Sequence, residues 1–170
     1  MTTADVGIYN AYFLPSIIVA FTLWTIVNAA FFPYASKSDD KLAILRNVRK
    51  ATPYLVAVLL PSFLLLEWII FFLYGRQYPF SLEIALFFAI AATMYFFYAC
   101  LSWLMASEGT RGAKVNTLSS IIAFIVLIGF DVVLIPLIGI LGAAITLVFA
   151  YLIAALYLMA KWRVLSAIQA

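Results

Sequence analysis

Histidine is absent from this 170-residue chain, cysteine occurs once, and charged side chains make up only 10% of it. Without histidine, the usual metal sites and nucleophile–base pairs have no partner residue. The lone Cys100 excludes a disulfide framework and the paired-cysteine spacing of zinc sites. No cofactor and no nucleic-acid partner are expected. The scarcity of charge excludes a water-soluble core as well. A soluble domain is roughly 45–50% apolar and about 25% charged, whereas 68% of this chain is hydrophobic and its mean hydropathy is +1.16.

What is present is apolar sequence in long runs. Residues 6–36, 84–107 and 132–160 hold no acidic or basic side chain, and runs 51–75 and 115–136 are each interrupted by a single acid, Glu67 and Asp131. A bilayer core about 30 Å thick takes about 20 apolar helical residues to cross. The pattern predicts an all-α, polytopic transmembrane helix bundle forming a single domain, with spans at residues 8–34, 53–74, 82–106, 114–136 and 139–160. Met1 to Gly7 has no basic segment and contains Asp5, so the first run reads as a spanning helix rather than a cleavable leader.

The basic residues divide unequally between the two sides of these spans. Lys37, Lys41, Arg46, Arg49, Lys50, Arg111, Lys114, Lys161 and Arg163 fall on one side and only Arg76 on the other. Basic residues in short loops stay cytoplasmic, which predicts an outer N-terminus and an inner C-terminus. Aromatic residues mark the same boundaries: Tyr9, Tyr12, Tyr74, Tyr78 and Phe80 at the outer ends, Tyr34, Tyr54, Trp103 and Trp162 at the inner ones.

The main basic loop reads as a surface helix capped by Ser38, with Asp39 and Asp40 in its first turn and Thr52–Pro53 marking the turn into the second span. Arg46, Arg49 and Lys50, spaced three and four apart, share a side. They serve as orientation signals resting on anionic membrane lipid, or also as a site attracting a phosphate-bearing lipid substrate.

Glu67 and Asp131 are the candidate coupling or cavity residues. A charged group at a helix centre costs about 2.5–3.5 kcal/mol on insertion scales, so each needs a reason to be there. A carboxyl so placed can exchange a proton or a cation as its surroundings alternate between wet and dry; otherwise it is hydrated near the headgroups or paired with a neighbouring helix. Asn28, Thr93, Ser102 and Thr146 read as structural, bonding their own backbone or an adjacent helix. Gly142, Thr146, Ala150 and Ala154 recur every four residues as a small-residue packing ridge, and the charge-free Pro136–Gly139 link predicts an antiparallel hairpin. Pro15 and Pro61 lie within spans, where a missing backbone bond kinks a helix.

Several segments resemble the polysaccharide-exporter branch of the multidrug/oligosaccharidyl-lipid/polysaccharide flippase superfamily, the O-antigen and teichoic-acid type flippases. Val6-Gly7-Ile8-Tyr9-Asn10-Ala11 is similar to that family's entry into a helix of its second lobe, and Phe32-Pro33-Tyr34-Ala35-Ser36-Lys37 to the exit. Glu67-Trp68-Ile69-Ile70-Phe71-Phe72-Leu73-Tyr74-Gly75 resembles the run that ends the next helix. The most specific likeness is Leu134-Ile135-Pro136-Leu137-Ile138-Gly139-Ile140-Leu141-Gly142-Ala143-Ala144, with Asp131 standing where many members carry Asn.

The resemblance implies part of the C-terminal lobe of a two-lobed flippase around a hydrated cavity. It implies alternating-access transport of an isoprenoid-pyrophosphate-linked glycan across a bacterial or archaeal plasma membrane. It also implies an N-terminal lobe as partner, since members carry two lobes and this chain corresponds to five helices, a fragment or one part of a split transporter. A multidrug or cation antiporter lobe and a non-transporting membrane assembly partner are the alternatives. An enzyme is the least supported class, because no loop is long enough for a catalytic domain and no paired acids appear at a fixed spacing.

Overall fold

The computed structural model describes residues 3–38, 40–75 and 78–169, with side chains from Asp5 to Trp162. Asp39 and Arg76 lie outside the described residues, as does the side chain of Arg163. The elements are α1 (Thr3–Phe13), a π-helical turn (Leu14–Ile18), α2 (Val19–Lys37), α3 (Lys41–Tyr74), α4 (Leu82–Ala106), α5 (Gly109–Ile138) and α6 (Ile140–Gln169). Five helices are long and apolar enough to cross a membrane: Asp5–Lys37, Lys41–Tyr74, Leu82–Ala106, Gly109–Ile138 and Ile140–Trp162. The chain is a multi-pass, all-α membrane protein.

α4 is the central helix, contacting every other spanning helix. Its sequence explains why. It is apolar all round, as a helix enclosed by others must be. Ala85, Ala89, Ala91, Ala92 and Ala99 are buried along it, and side chains this small let neighbouring backbones come close. Phe88, Phe96, Leu104 and Met105 fill the remaining volume. α5 and α6 form an antiparallel hairpin that packs closely along its length and lies against one side of α4; α2 and α3 lie against another.

The hairpin turn is a single residue. Helix α5 continues through Pro136 to Ile138, and only Gly139, at φ +62°, separates it from α6. That backbone region is one that only glycine adopts readily. The small-residue ridge meets α5. A Cβ built at Gly142 would stand 2.5 Å from the Leu134 carbonyl oxygen, and Ser119 of α5 donates to the Ala154 carbonyl at 3.3 Å. Thr146, Ala150 and Ala154 are buried with Gly142.

Two local expectations are corrected. Ser38 does not cap α3. It ends α2, its N–H donating to the Tyr34 carbonyl at 3.2 Å, while the Asp40 carboxylate caps α3 by accepting from the Ala43 N–H at 2.8 Å. Thr52–Pro53 is not a turn between a surface helix and a span, because α3 runs unbroken from Lys41 to Tyr74. Losing one backbone bond at Pro53 is outweighed by packing on its N-terminal side, where Ile44, Leu45 and Val48 join clusters with Leu104, Leu158 and Ala99. Trp162, at the end of the bundle that holds Ala35 and Ile44, is enclosed by protein. It is buried against Ala35, Ile44 and Met105, its indole N–H without a partner.

Candidate functional site

Pro15 shapes the first of two polar sites. A proline in a helix has no N–H to give and crowds the carbonyl one turn back. Here the helix widens into the π-helical turn Leu14–Ile18 rather than breaking. π-helical turns often mark functional positions. This one places Ser16 in the interior, fully buried, facing α3.

Glu67, also fully buried, points back at it, and the Ser16 hydroxyl donates to Glu67 Oε1. Glu67 Oε2 is enclosed and has no partner among the described residues. One turn N-terminal of Ser16, the ring of Tyr12 is fully buried between Phe71 and Phe88, with centroids at 4.2 and 5.8 Å. Its hydroxyl accepts from the Ser81 N–H at 2.6 Å, tying the first helix to the α3–α4 turn. Tyr12 is also within electrostatic reach of the Glu67 carboxyl.

Asp131 forms the second site on α5. The Thr146 hydroxyl on α6 lies beside it. One of its carboxyl oxygens is enclosed and unpartnered among the described residues. Thr146 itself donates to the Gly142 carbonyl at 2.9 Å, so the ridge predicted for packing also carries a hydroxyl beside an acid. Glu67 and Asp131 thus have separate surroundings, and Glu67 is hydrogen-bonded to the first span through Ser16.

Thr93, Ser102 and Thr146 bond the backbone or a neighbouring helix, whereas the Asn28 side-chain oxygen has no partner among the described residues. Thr93 donates to the Ala89 carbonyl at 2.8 Å and Ser102 to Asn116 Oδ1 on α5 at 2.6 Å. Asn28 keeps an enclosed, unpartnered Oδ1.

Arg46, Arg49 and Lys50 are exposed on the N-terminal part of α3. That helix has 34 residues, about 51 Å at 1.5 Å per residue, so it outruns a bilayer core about 30 Å thick. Its basic part therefore stands in the interface. Lys41 has a different role: it pairs with Glu108 at 3.3 Å and donates to the Ser107 carbonyl at 2.8 Å, clamping the α2–α3 and α4–α5 turns together.

No family model, curated protein or solved structure matches this chain. Sequence reasoning found both acids but neither Ser16 nor Tyr12. The available signal was a serine directly after an intramembrane proline, on a helix otherwise free of charge.

Proposed function

We propose that this chain is part of a membrane transporter that flips isoprenoid-linked oligosaccharide or polysaccharide precursors across a plasma membrane by alternating access. It works with a second lobe, with its C-terminus in the cytoplasm, and performs no covalent chemistry. The observation that carries the reading is Glu67. A carboxyl enclosed within a spanning bundle is costly. This one faces a hydroxyl held by the π-helical turn of the opposing helix, so that rearranging that turn would expose the carboxyl or bury it. A two-state element of this kind lets a bound proton or cation bias which arrangement is populated.

Three further features support the reading. The motif order resembles the flippases over nearly the whole chain. The exposed Arg46, Arg49 and Lys50 supply cations of the kind that a pyrophosphate pairs with. The second acid, Asp131, has a free oxygen of its own.

The test is translocation of a fluorescent isoprenoid-pyrophosphate disaccharide in proteoliposomes holding this chain together with an N-terminal lobe of the same class. Protection of the label from an external quencher, lost in Glu67→Gln, is the expected result. Equal protection by vesicles without the chain would refute the proposal.

A further inference from the structure

α3 is held unevenly along its length. Phe63, Glu67 and Phe71 are buried in its second half, whereas between Lys41 and Ser62 the one buried side chain is Ile44. A segment with so few buried groups opens at low free energy. Its first turns are two-sided. Ile44, Leu45 and Val48 face the bundle, and Arg46, Arg49 and Lys50 are exposed. An apolar face opposite a basic one suits a helix at a membrane surface.

A weak point separates this segment from the rest of α3. Pro53 has no N–H, so the Arg49 carbonyl loses its donor within the helix. One residue earlier the Thr52 hydroxyl bonds the Val48 carbonyl at 2.9 Å, a contact that often bends a helix.

The other end is fastened by Lys41. A cation in the first turn of a helix opposes that helix's dipole. The Lys41 ammonium is directed instead at the last carbonyls of α4, where the dipole favours it. It donates to the Ser107 carbonyl at 2.8 Å and pairs with Glu108 at 3.3 Å. The anchor is firm, because a Cβ built at Gly112 would collide with the Met105 carbonyl, so tightly is α5 set on the end of α4.

What the segment covers is partly polar. Ile44 and Leu45 pack in the cluster that holds Trp162, and Val48 also in the cluster of Trp24, Phe96, Ala99 and Cys100. The indole N–H groups of Trp24 and Trp162 are enclosed without a partner among the described residues. So is the side-chain oxygen of Asn28, one turn from Trp24 on the same face of α2. Enclosed polar groups without partners carry a cost that water would relieve.

We infer that residues 41–52 form a lid over the basic end of the bundle, hinged at Pro53 and latched by Lys41. Four peptide steps from Lys37 keep the tip of the lid within about 14 Å of α2, so it tilts rather than swings free. Tilted, it carries Arg46, Arg49 and Lys50 onto anionic headgroups and admits water to the polar atoms beneath. The lid is independent of what the chain transports.

Cys100, the one thiol of the chain, reports on the opening. It is buried in the cluster that Val48 covers, six residues and about 9 Å from the basic end of α4. A thiol reacts as its thiolate, which needs water. The experiment measures labelling of Cys100 by a water-soluble thiol reagent in lipid nanodiscs, where both membrane faces are open to the reagent. Lys41→Met is expected to speed labelling about tenfold, and Lys41→Arg to leave it near the parent rate. Adding Pro53→Ala to Lys41→Met restores the backbone bond at the hinge and should slow labelling again, about threefold. Anionic lipid in place of zwitterionic lipid should speed labelling of the parent.

Ala89→Cys in a Cys100→Ala chain separates the lid from general unfolding. It is fully buried in the other half of α4 and should stay slow when Lys41→Met is added. Equal acceleration at both positions, no acceleration at Cys100, or a Lys41→Met rate that Pro53→Ala leaves unchanged overturns the hinged lid. A parent rate indifferent to anionic lipid overturns the headgroup contact.

Discussion

The Ser16–Glu67 pair is where residue chemistry and membrane position bear most directly on each other. The fully buried Glu67 carboxyl has one donor among the described residues, and removing that donor leaves two oxygens unsatisfied. Ser16→Ala is therefore expected to lower stability by about 1–3 kcal/mol, read as earlier thermal unfolding in detergent. Glu67→Gln is nearly isosteric and keeps an acceptor for Ser16, so it should fold like the parent and lose coupled transport. An unchanged translocation rate with Glu67→Gln would remove this residue from the coupling role. The acids themselves were legible in the sequence, because a single acid within an apolar run is conspicuous. Their partners were not. Ser16 and Glu67 are 51 positions apart, and nothing local marks which hydroxyl an acid will meet.

Helix elements obeyed composition in their existence and departed from it at their prolines. Pro15, Pro53, Pro61 and Pro136 are all accommodated inside helices, with a widened turn only at Pro15. In lipid the freed backbone groups have no water to turn to, so the helix adjusts locally instead of ending. The α5–α6 hairpin gives a sharp test. At Gly142 an added Cβ would collide with the Leu134 backbone, which no rotamer change can move, whereas at Gly129 it would meet nothing within 4 Å. Gly142→Ala should therefore cost about 1–3 kcal/mol and Gly129→Ala far less, measured as the shift in unfolding temperature of the two purified variants. Gly139→Ala should be destabilising for a different reason, backbone strain at φ +62°, by about 1–3 kcal/mol. The repeat of small residues announced a packing face; that the face belongs to α5, with Ser119 bonded across it, required the fold.

For the whole molecule, an odd number of crossings has a direct consequence. Reporter tags at Met1 and Ala170 should lie on opposite sides of the membrane, with the Ala170 tag inside, as a protease-protection assay on sealed vesicles would show. Tags on the same side would contradict the five-span reading. Lys37, Lys41, Arg46, Arg49, Lys50, Arg111 and Lys114 all fall at the end of the bundle that holds the α2–α3 and α4–α5 turns. The sequence alone determined the solvent, the helical class and the spacing of the crossings, because each follows from how many consecutive apolar residues a bilayer requires. Only the tertiary structure decided that α4 is central, that Lys41 pairs with Glu108, that Trp162 is buried, and that Tyr95 and Tyr98 of α4 meet Tyr151 of α6. In an all-apolar helix every face looks alike in sequence, so the choice of which face meets which neighbour is made by side-chain shape when the helices pack.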